Sequence, residues 1–304
     1  MIKSIKVTNF LGESLEIELR NPEKSGFLIK EITGLGPCKA DINAKELATS
    51  DGSVFNSARL NSRNIVIKMG LLFNPTVEDS RLKSYRYFPI KKKVKLTIET
   101  DNRIAEIEGY VESNEPNIFS KAEETQISII CPDPFFYSAG KDGNNVVVFY
   151  GVEDNFEFPF SNESFEENTL ELGIVRYSTE RSIWYDGDAD IGVLITIYVG
   201  DVARNLTIYN LRTREYIKFN TDKLESMTGS GLIQGDVLTI STVKGNKYCK
   251  LLRNGETINA LNCIDKTSTW FALTRGDNII AYTAEDGGSN LAFKIENRLI
   301  YEGV

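Results

Sequence analysis

Apolar residues recur at every second position through most of this chain, and a period of two is what a half-buried β-strand imposes on its sequence. Ile5 and Val7 alternate with lysine and threonine, and Phe10 follows one step out of register. Leu15, Ile17 and Leu19 alternate with glutamate, and Gly12-Glu13 supplies a turn between the two runs. Val94, Leu96 and Ile98 form a third run. After the turn Thr100-Asp101-Asn102-Arg103, Ile104, Ile107 and Tyr110 continue on an antiparallel partner. Gln126 to Cys131 reads as a buried strand.

Val77 to Phe88 breaks this rhythm. Leu82, Tyr85 and Phe88 recur at helical spacing, Glu78 and Asp79 suit the positive end of a helix, and Pro89 stops it. The spacing predicts one helix of about three turns lying across a sheet. The run Cys131-Pro132-Asp133-Pro134 then punctuates the chain, because two prolines in three residues cannot sit inside a central strand. A domain boundary is placed there, giving domains 1–136 and 137–304. Beyond it short strands recur between turns such as Lys244-Gly245-Asn246 and Arg253-Asn254-Gly255, the pattern of a β-sandwich. One of them, Ile191–Val199, is far too short to span a membrane. The first ten residues alternate apolar with polar and carry no signal-peptide hydrophobic region.

The 304 residues contain no histidine, which removes histidine-dependent triads and histidine zinc sites. The cysteines Cys38, Cys131, Cys249 and Cys263 are scattered, with no C-x-x-C pair, and read as reduced thiols. Without histidine, Cys131 or Cys249 has nothing to activate it as a nucleophile. Gly34-Leu35-Gly36 and Gly229-Ser230-Gly231 lack the third glycine and following helix of a dinucleotide site, and read as turns. Asp186, Asp188 and Asp190 alternate like cation ligands, but Ile191 and Ile197 stand where an EF-hand needs glycine and glutamate, so a solvated turn is the better reading. The acidic pairs Glu153-Asp154 and Glu166-Glu167 would point to opposite faces of a strand, which weakens a glycosidase reading. Trp184 and Trp270 have the chemistry to stack on sugar rings, yet large aromatics mostly anchor cores. No cofactor is expected.

Charge separates the halves. Residues 1–136 carry 19 Lys+Arg and 19 Asp+Glu, so the whole net charge of −8 falls on 137–304. An acidic half repels nucleic acid and argues against sequence-specific DNA binding. The run Lys91-Lys92-Lys93-Val94-Lys95 enters a strand and reads as solvated edge lysines.

The stretches Ile32–Pro37, Lys39–Asn43, Asp51–Arg59, Arg63–Ile67 leading to Gly70-Leu71, Ile127–Phe136, and Phe156–Phe160 together resemble the distal tail protein family of long-tailed bacteriophages. C-terminally, Gly192, Asn205 to Asn210, Gly235-Asp236, Leu261-Asn262, Trp270-Phe271 and Tyr301–Val304 continue the likeness. The resemblance implies a mainly β chain: a β-sandwich or barrel-like first domain with one α-helix and a projecting β-hairpin, then a galectin-like β-sandwich. It implies a structural virion protein and no enzyme, a homo-hexameric ring at the distal end of the tail tube. The ring would join the tube protein on one side to the tail-tip or baseplate hub protein on the other. DNA would meet it only in the lumen, receptor-binding proteins could attach to the second domain, and no membrane is involved. The place of action would be the virion tail tip, assembled in the host cytoplasm. A closed ring needs two different complementary surfaces on each subunit, and exposed strand edges are a natural joint. The joint is placed at Asp41–Gly70, with Phe55 filling a pocket, Asn56 and Asn64 beside it, and Arg59 and Arg63 making bidentate contacts across the interface. The alternative is a carbohydrate-binding adhesin that uses Trp184 and Trp270.

Overall fold

A computed structural model describes residues 1–47, 51–139, 144–150 and 179–304. The chain divides into two compact units, Met1–Gly143 with Ile300–Val304, and Asn144–Leu299. The first unit therefore runs past Phe136 and takes back the last five residues, unlike the division expected at 136/137. The reason is strand pairing: Phe136–Ser138 pairs both with Ile104–Pro116 and with Ile300–Tyr301.

The first unit contains β1 (Ile2–Thr8), β2 (Ser14–Glu18), β3 (Phe27–Thr33), β4 (Ala40–Glu46), β5 (Ser53–Leu60), β6 (Arg63–Leu71), β7 (Lys93–Thr100), β8 (Ile104–Pro116), β9 (Glu124–Cys131) and β10 (Phe136–Ser138). Its main sheet has the order β2-β1-β7-β8-β9-β6-β3, with β10 and the terminal strand Ile300–Tyr301 attached beside β8. The β1–β2 turn forms where expected: Gly12 adopts a positive φ of 82°, and Asn9 Oδ1 accepts from the amides of Leu11 and Glu13. The inward rows pair across the ladder, Ile5 with Ile17 and Ile98, Val7 with Leu15 and Leu96. These residues join Phe27, Ile65, Ile67, Ile107, Ile127 and Ile129 in one core. Each such side chain contributes about 1.5–3 kcal/mol on leaving water. On β8 the period of two points Ala105, Ile107 and Val111 inward, and so leaves Ile104 and Tyr110 exposed.

The expected helix is α2 (Val77–Tyr87), preceded by the single-turn α1 (Pro22–Ser25). Thr76 and Asp79 form a capping box at its start. Its buried stripe differs from the expectation, however. Ser80, Ser84 and Phe88 face inward at a spacing of four, while Leu82 and Tyr85 are exposed. The serines are small enough to let the helix lie close: Ser80 Oγ donates to the Leu72 carbonyl at 2.7 Å, and a Cβ on Gly26 would stand 2.5 Å from that same Oγ.

The second unit contains β11 (Asn144–Tyr150), β12 (Glu180–Tyr185), β13 (Ile191–Gly192), β14 (Leu194–Val199), β15 (Leu206–Asn210), β16 (Glu215–Phe219), β17 (Val237–Ser241), β18 (Tyr248–Arg253), β19 (Glu256–Asn259), β20 (Ala272–Leu273), β21 (Gly276–Thr283) and β22 (Leu291–Arg298). They form a six-stranded sheet, β11-β22-β14-β17-β18-β19, a four-stranded sheet, β12-β21-β15-β16, and a two-stranded one, β13-β20. Tyr282 on the small sheet stacks on Phe293 of the large one at 4.2 Å between ring centroids, so the inner faces meet as a sandwich. The run expected as one strand, Ile191–Val199, splits at Val193. β13 pairs with β20, whereas β14 joins the large sheet. The helix α3 (Thr221–Thr228) is absent from the sequence reading, although Asn220 caps its start and Gly229 its end with φ 82°.

A buried ion pair closes this unit. Arg253 donates from Nε to Asp236 Oδ1 at 2.8 Å and from Nη2 to Oδ2 at 2.6 Å, and further to the Gly231 carbonyl and Ser230 Oγ. The Asp236 side chain is 1% exposed and that of Arg253 11%, and removing one member of such a pair strands the other charge. Arg253→Met should therefore lower the stability of the second unit by about 3 kcal/mol in urea denaturation, and a loss below about 1 kcal/mol would contradict this.

A surface pair gives a pH-dependent test. The Arg86 guanidinium and Asn9 bond Glu13 and hold its carboxyl down at about 2. A depressed carboxylate stabilises above its unfolded pKa and loses that contribution as pH falls through the folded value. The destabilisation caused by Glu13→Gln should thus be full at pH 7, fade below about pH 4.5, and vanish near pH 2 in acid-denaturation curves.

Candidate oligomer interface

Among the described residues, strands β4 and β5 pair only with each other. Apart from Ala40 and Leu60 at the stem, every one of their side chains is exposed. The register slips between Asn43 and Ala44, whose partners are Ser57 and Phe55, so Asn56 is the extra residue of a bulge. A bulge sharpens local twist and bends the ribbon. Ile42 and Phe55, on one face of the ribbon, are 64% and 63% exposed, and Val54, on the other face opposite Lys45, and Leu47 are exposed as well. Arg59 binds Asp41 across the hairpin, with Nε and Nη2 at 3.2 and 3.1 Å from Oδ2. Both ions are solvated, so this pair contributes little stability.

Arg63 lies elsewhere than expected. Its residue is 3% exposed, and four of its five N–H groups are used inside its own unit. Nε donates to the Pro134 carbonyl at 2.7 Å, Nη1 to those of Gly34 and Gly36 at 2.6 Å, and Nη2 to that of Glu302 at 2.6 Å. The guanidinium also stands 4.6 Å from the Phe136 ring centroid. Burial pulls its pKa below the ordinary arginine value, and the carbonyl dipoles replace lost water. The expectation that Arg63 reaches across an interface is therefore corrected: the side chain is saturated at the stem. Nothing in the local sequence distinguishes it from Arg59; the difference is the set of carbonyls around it, those of Gly34 and Gly36 beside the β3–β6 pair and those of Pro134 and Glu302. Gly34 itself is required there, since a Cβ would stand 2.1 Å from the Asn64 carbonyl. Asn64 is exposed, accepts from Ser128 Oγ at 3.0 Å, and lines an open cleft of about 340 Å³ with Gly34, Gly36, Cys38, Lys39 and Ser62.

The structure thus groups Phe55, Asn56 and Arg59 on the hairpin and places Arg63 and Asn64 at its stem. The tryptophans belong to the second unit. Trp184 is 66% exposed on β12 opposite Asp277, which overturns its reading as a core anchor. Trp270 is half-buried, with the Lys247 ammonium 5.7 Å from its ring, and the adjoining Phe271 takes the core position.

Catalytic chemistry finds little support among the described residues. Burial pushes the Cys131 thiol up to about 12 and raises Cys249 and Cys263 as well, so none of the three supplies a thiolate near neutral pH. Asp186, Asp188 and Asp190 are exposed, and Asp186 pairs with Arg275 at 3.4 Å. No group of three metal-ligating side chains assembles among the described residues, and no helix there is long and apolar enough to cross a membrane. Glu153-Asp154, Glu166-Glu167 and Phe156–Phe160 lie outside the described residues.

The chain is a two-unit, mainly β protein whose β4–β5 ribbon is bare of strand partners among the described residues. Residues 186–296 match the family model of the siphovirus-type tail component, C-terminal domain. Over 98% of this chain and 100% of the other, the fold is similar to that of the SPP1 Dit (gp 19.1) protein, described as a paradigm of the hub adsorption apparatus in phages infecting Gram-positive bacteria, at 12% identity and a TM-score of 0.64. Chains of the phage P2 baseplate in its activated conformations with Ca and with Sr align at 13% and 12% identity, covering 98% and 97% of this chain and 99% and 98% of theirs, with TM-scores of 0.45. Comparison with curated proteins finds no match. The family model over residues 186–296 and the similarity to the SPP1 Dit fold bear out the likeness to distal tail proteins read from the sequence.

Arg63→Met should cost the first unit about 3 kcal/mol or more, because four carbonyls lose a buried cation. Arg59→Ala should change stability by under about 0.5 kcal/mol. Similar losses for both, measured by urea denaturation, would contradict this placement.

Proposed function

We propose that this chain is a structural hub of a phage-type tail tip, six copies closing a ring through the hairpin β4–β5. The observation that carries the reading is the hairpin itself. A lone two-stranded ribbon is marginal in water, and its exposed Ile42, Leu47, Val54 and Phe55 need a partner surface. Head-to-tail closure puts the hairpin of one copy on a different face of the next. Phe55 serves as an apolar anchor, and the bulge at Asn56 and the Asp41–Arg59 pair set the ribbon's twist and direction.

In this reading domain 1–136, completed by 300–304, forms the ring between a tail tube protein and a tail-tip or baseplate hub protein, at the virion's tail tip, with subunits assembled in the host cytoplasm. The domain within 137–304 is a galectin-like sandwich that faces outward and can carry receptor-binding proteins. DNA passes through the lumen without specific contacts. A carbohydrate-binding role for the second domain is the other reading. The exposed Trp184 beside Asp277 favours it, since an indole face and a carboxylate together suit a sugar ring. Saturable binding on a glycan array that Trp184→Ala abolishes would support this role.

Native mass spectrometry tests the ring. Six copies of 34.1 kDa give a species of about 205 kDa, and Phe55→Asp should return the protein to monomer without lowering its melting temperature. A Phe55→Asp variant that assembles like the parent would overturn the assignment.

A further inference from the structure

Residues 300–304 follow the whole second unit in sequence, yet they pack on the first, at the stem of the hairpin. Ile300 and Tyr301 pair with Tyr137 and Phe136 on β10. The Glu302 carbonyl takes the Nη2 proton of Arg63, whose Nη1 holds the carbonyls of Gly34 and Gly36. The Val304 amide donates to the Leu35 carbonyl at 3.1 Å. Arg103 donates to the Gly303 carbonyl at 3.3 Å and stands 4.3 Å from the Tyr301 ring centroid. The fit at Gly303 is tight, since a Cβ there would meet the Leu35 carbonyl oxygen at 3.0 Å.

Two facts connect these contacts to assembly. Among the described residues the hairpin has no strand partner beyond its own two strands, so its direction is set where residues 34–39 and 61–63 leave the sheet. That stem is held by one buried guanidinium and by the Leu35 carbonyl, and residues 300–304 supply a bonding partner to each. Without them Arg63 keeps a buried charge with one acceptor fewer, and the Leu35 carbonyl loses its donor; both changes favour local opening of the stem.

We propose that residues 300–304 are an intramolecular latch that fixes the hairpin stem, so that a subunit becomes competent to join other copies only after this segment has closed on the first unit. The proposal rests on the ring reading above for its link to assembly, but the latch itself is measurable in a single subunit. Because residues 144–299 precede the latch, a chain made only as far as Leu299 lacks it and cannot present an ordered hairpin to its neighbours.

Hydrogen exchange and native mass spectrometry on three proteins test this: the parent, a chain ending at Leu299, and the full chain with Gly303→Val. In both variants, exchange at the stem amides of residues 33–40 and 60–64 should rise at least tenfold while β7 and β8 keep parental protection. The assembled fraction should fall at least tenfold at a concentration where the parent assembles. A synthetic peptide of residues 299–304 should restore stem protection to the truncated chain. Unchanged stem exchange would overturn the latch. Loss of protection in β7 and β8 of both variants would also overturn it, showing that the segment holds the whole unit rather than the stem. A parent that stays monomeric while the stem loosens as expected would refute the ring and leave the latch standing.

Discussion

A buried guanidinium must find acceptors for its N–H groups or forfeit the hydration it gave up. Arg63 finds four carbonyls, from Gly34, Gly36, Pro134 and Glu302, and they come from three separate stretches of chain. Lysine could not replace it, because one ammonium cannot reach a planar set of acceptors on several sides. The bonds join the turn before β4, the proline-rich exit from β9 and the returning end of the chain. Without that junction the sheet of the first unit would still have its apolar core, but the hairpin would have no fixed point of departure.

The two halves of the molecule handle exposed surface differently. In the first unit the main sheet buries its apolar row and covers its other face with crossed charges, such as Lys93 with Glu108 and Lys68 with Glu31. Its hairpin does the opposite and presents apolar side chains to solvent. The second unit folds its strands into a closed sandwich around Tyr282 and Phe293, and the polar knot of Arg253 and Asp236 is hidden.

Much of the fold was legible from periodicity, because strand alternation is a local pattern. The turns at Gly12 and at Thr100–Arg103 and the helix from Val77 were readable for the same reason. The buried face of that helix was not, since Ser80 and Ser84 face inward for reasons of close approach that only the neighbouring strands reveal. Arg63 and Arg59, four residues apart, looked equivalent; the difference is tertiary, a ring of carbonyls around one and water around the other. Trp184 misled in the same way, because its side of β12 depends on the register with β21. The α3 signals were present in Asn220 and Gly229 but were outweighed by the surrounding strand pattern. The hairpin came from the resemblance, and its alternation alone would not have shown that neither face is covered.

The central claim is that β4 and β5 find their missing partner in another copy of the chain. Amide exchange of the hairpin, followed as protein concentration is raised from dilute monomer, tests it most directly. The account predicts fast exchange across residues 40–46 and 53–60 in the monomer, and protection that grows in step with the assembled species while the β7–β8 amides stay constant. Hairpin amides that exchange at the same rate at every concentration, in a sample where larger species form, would contradict it.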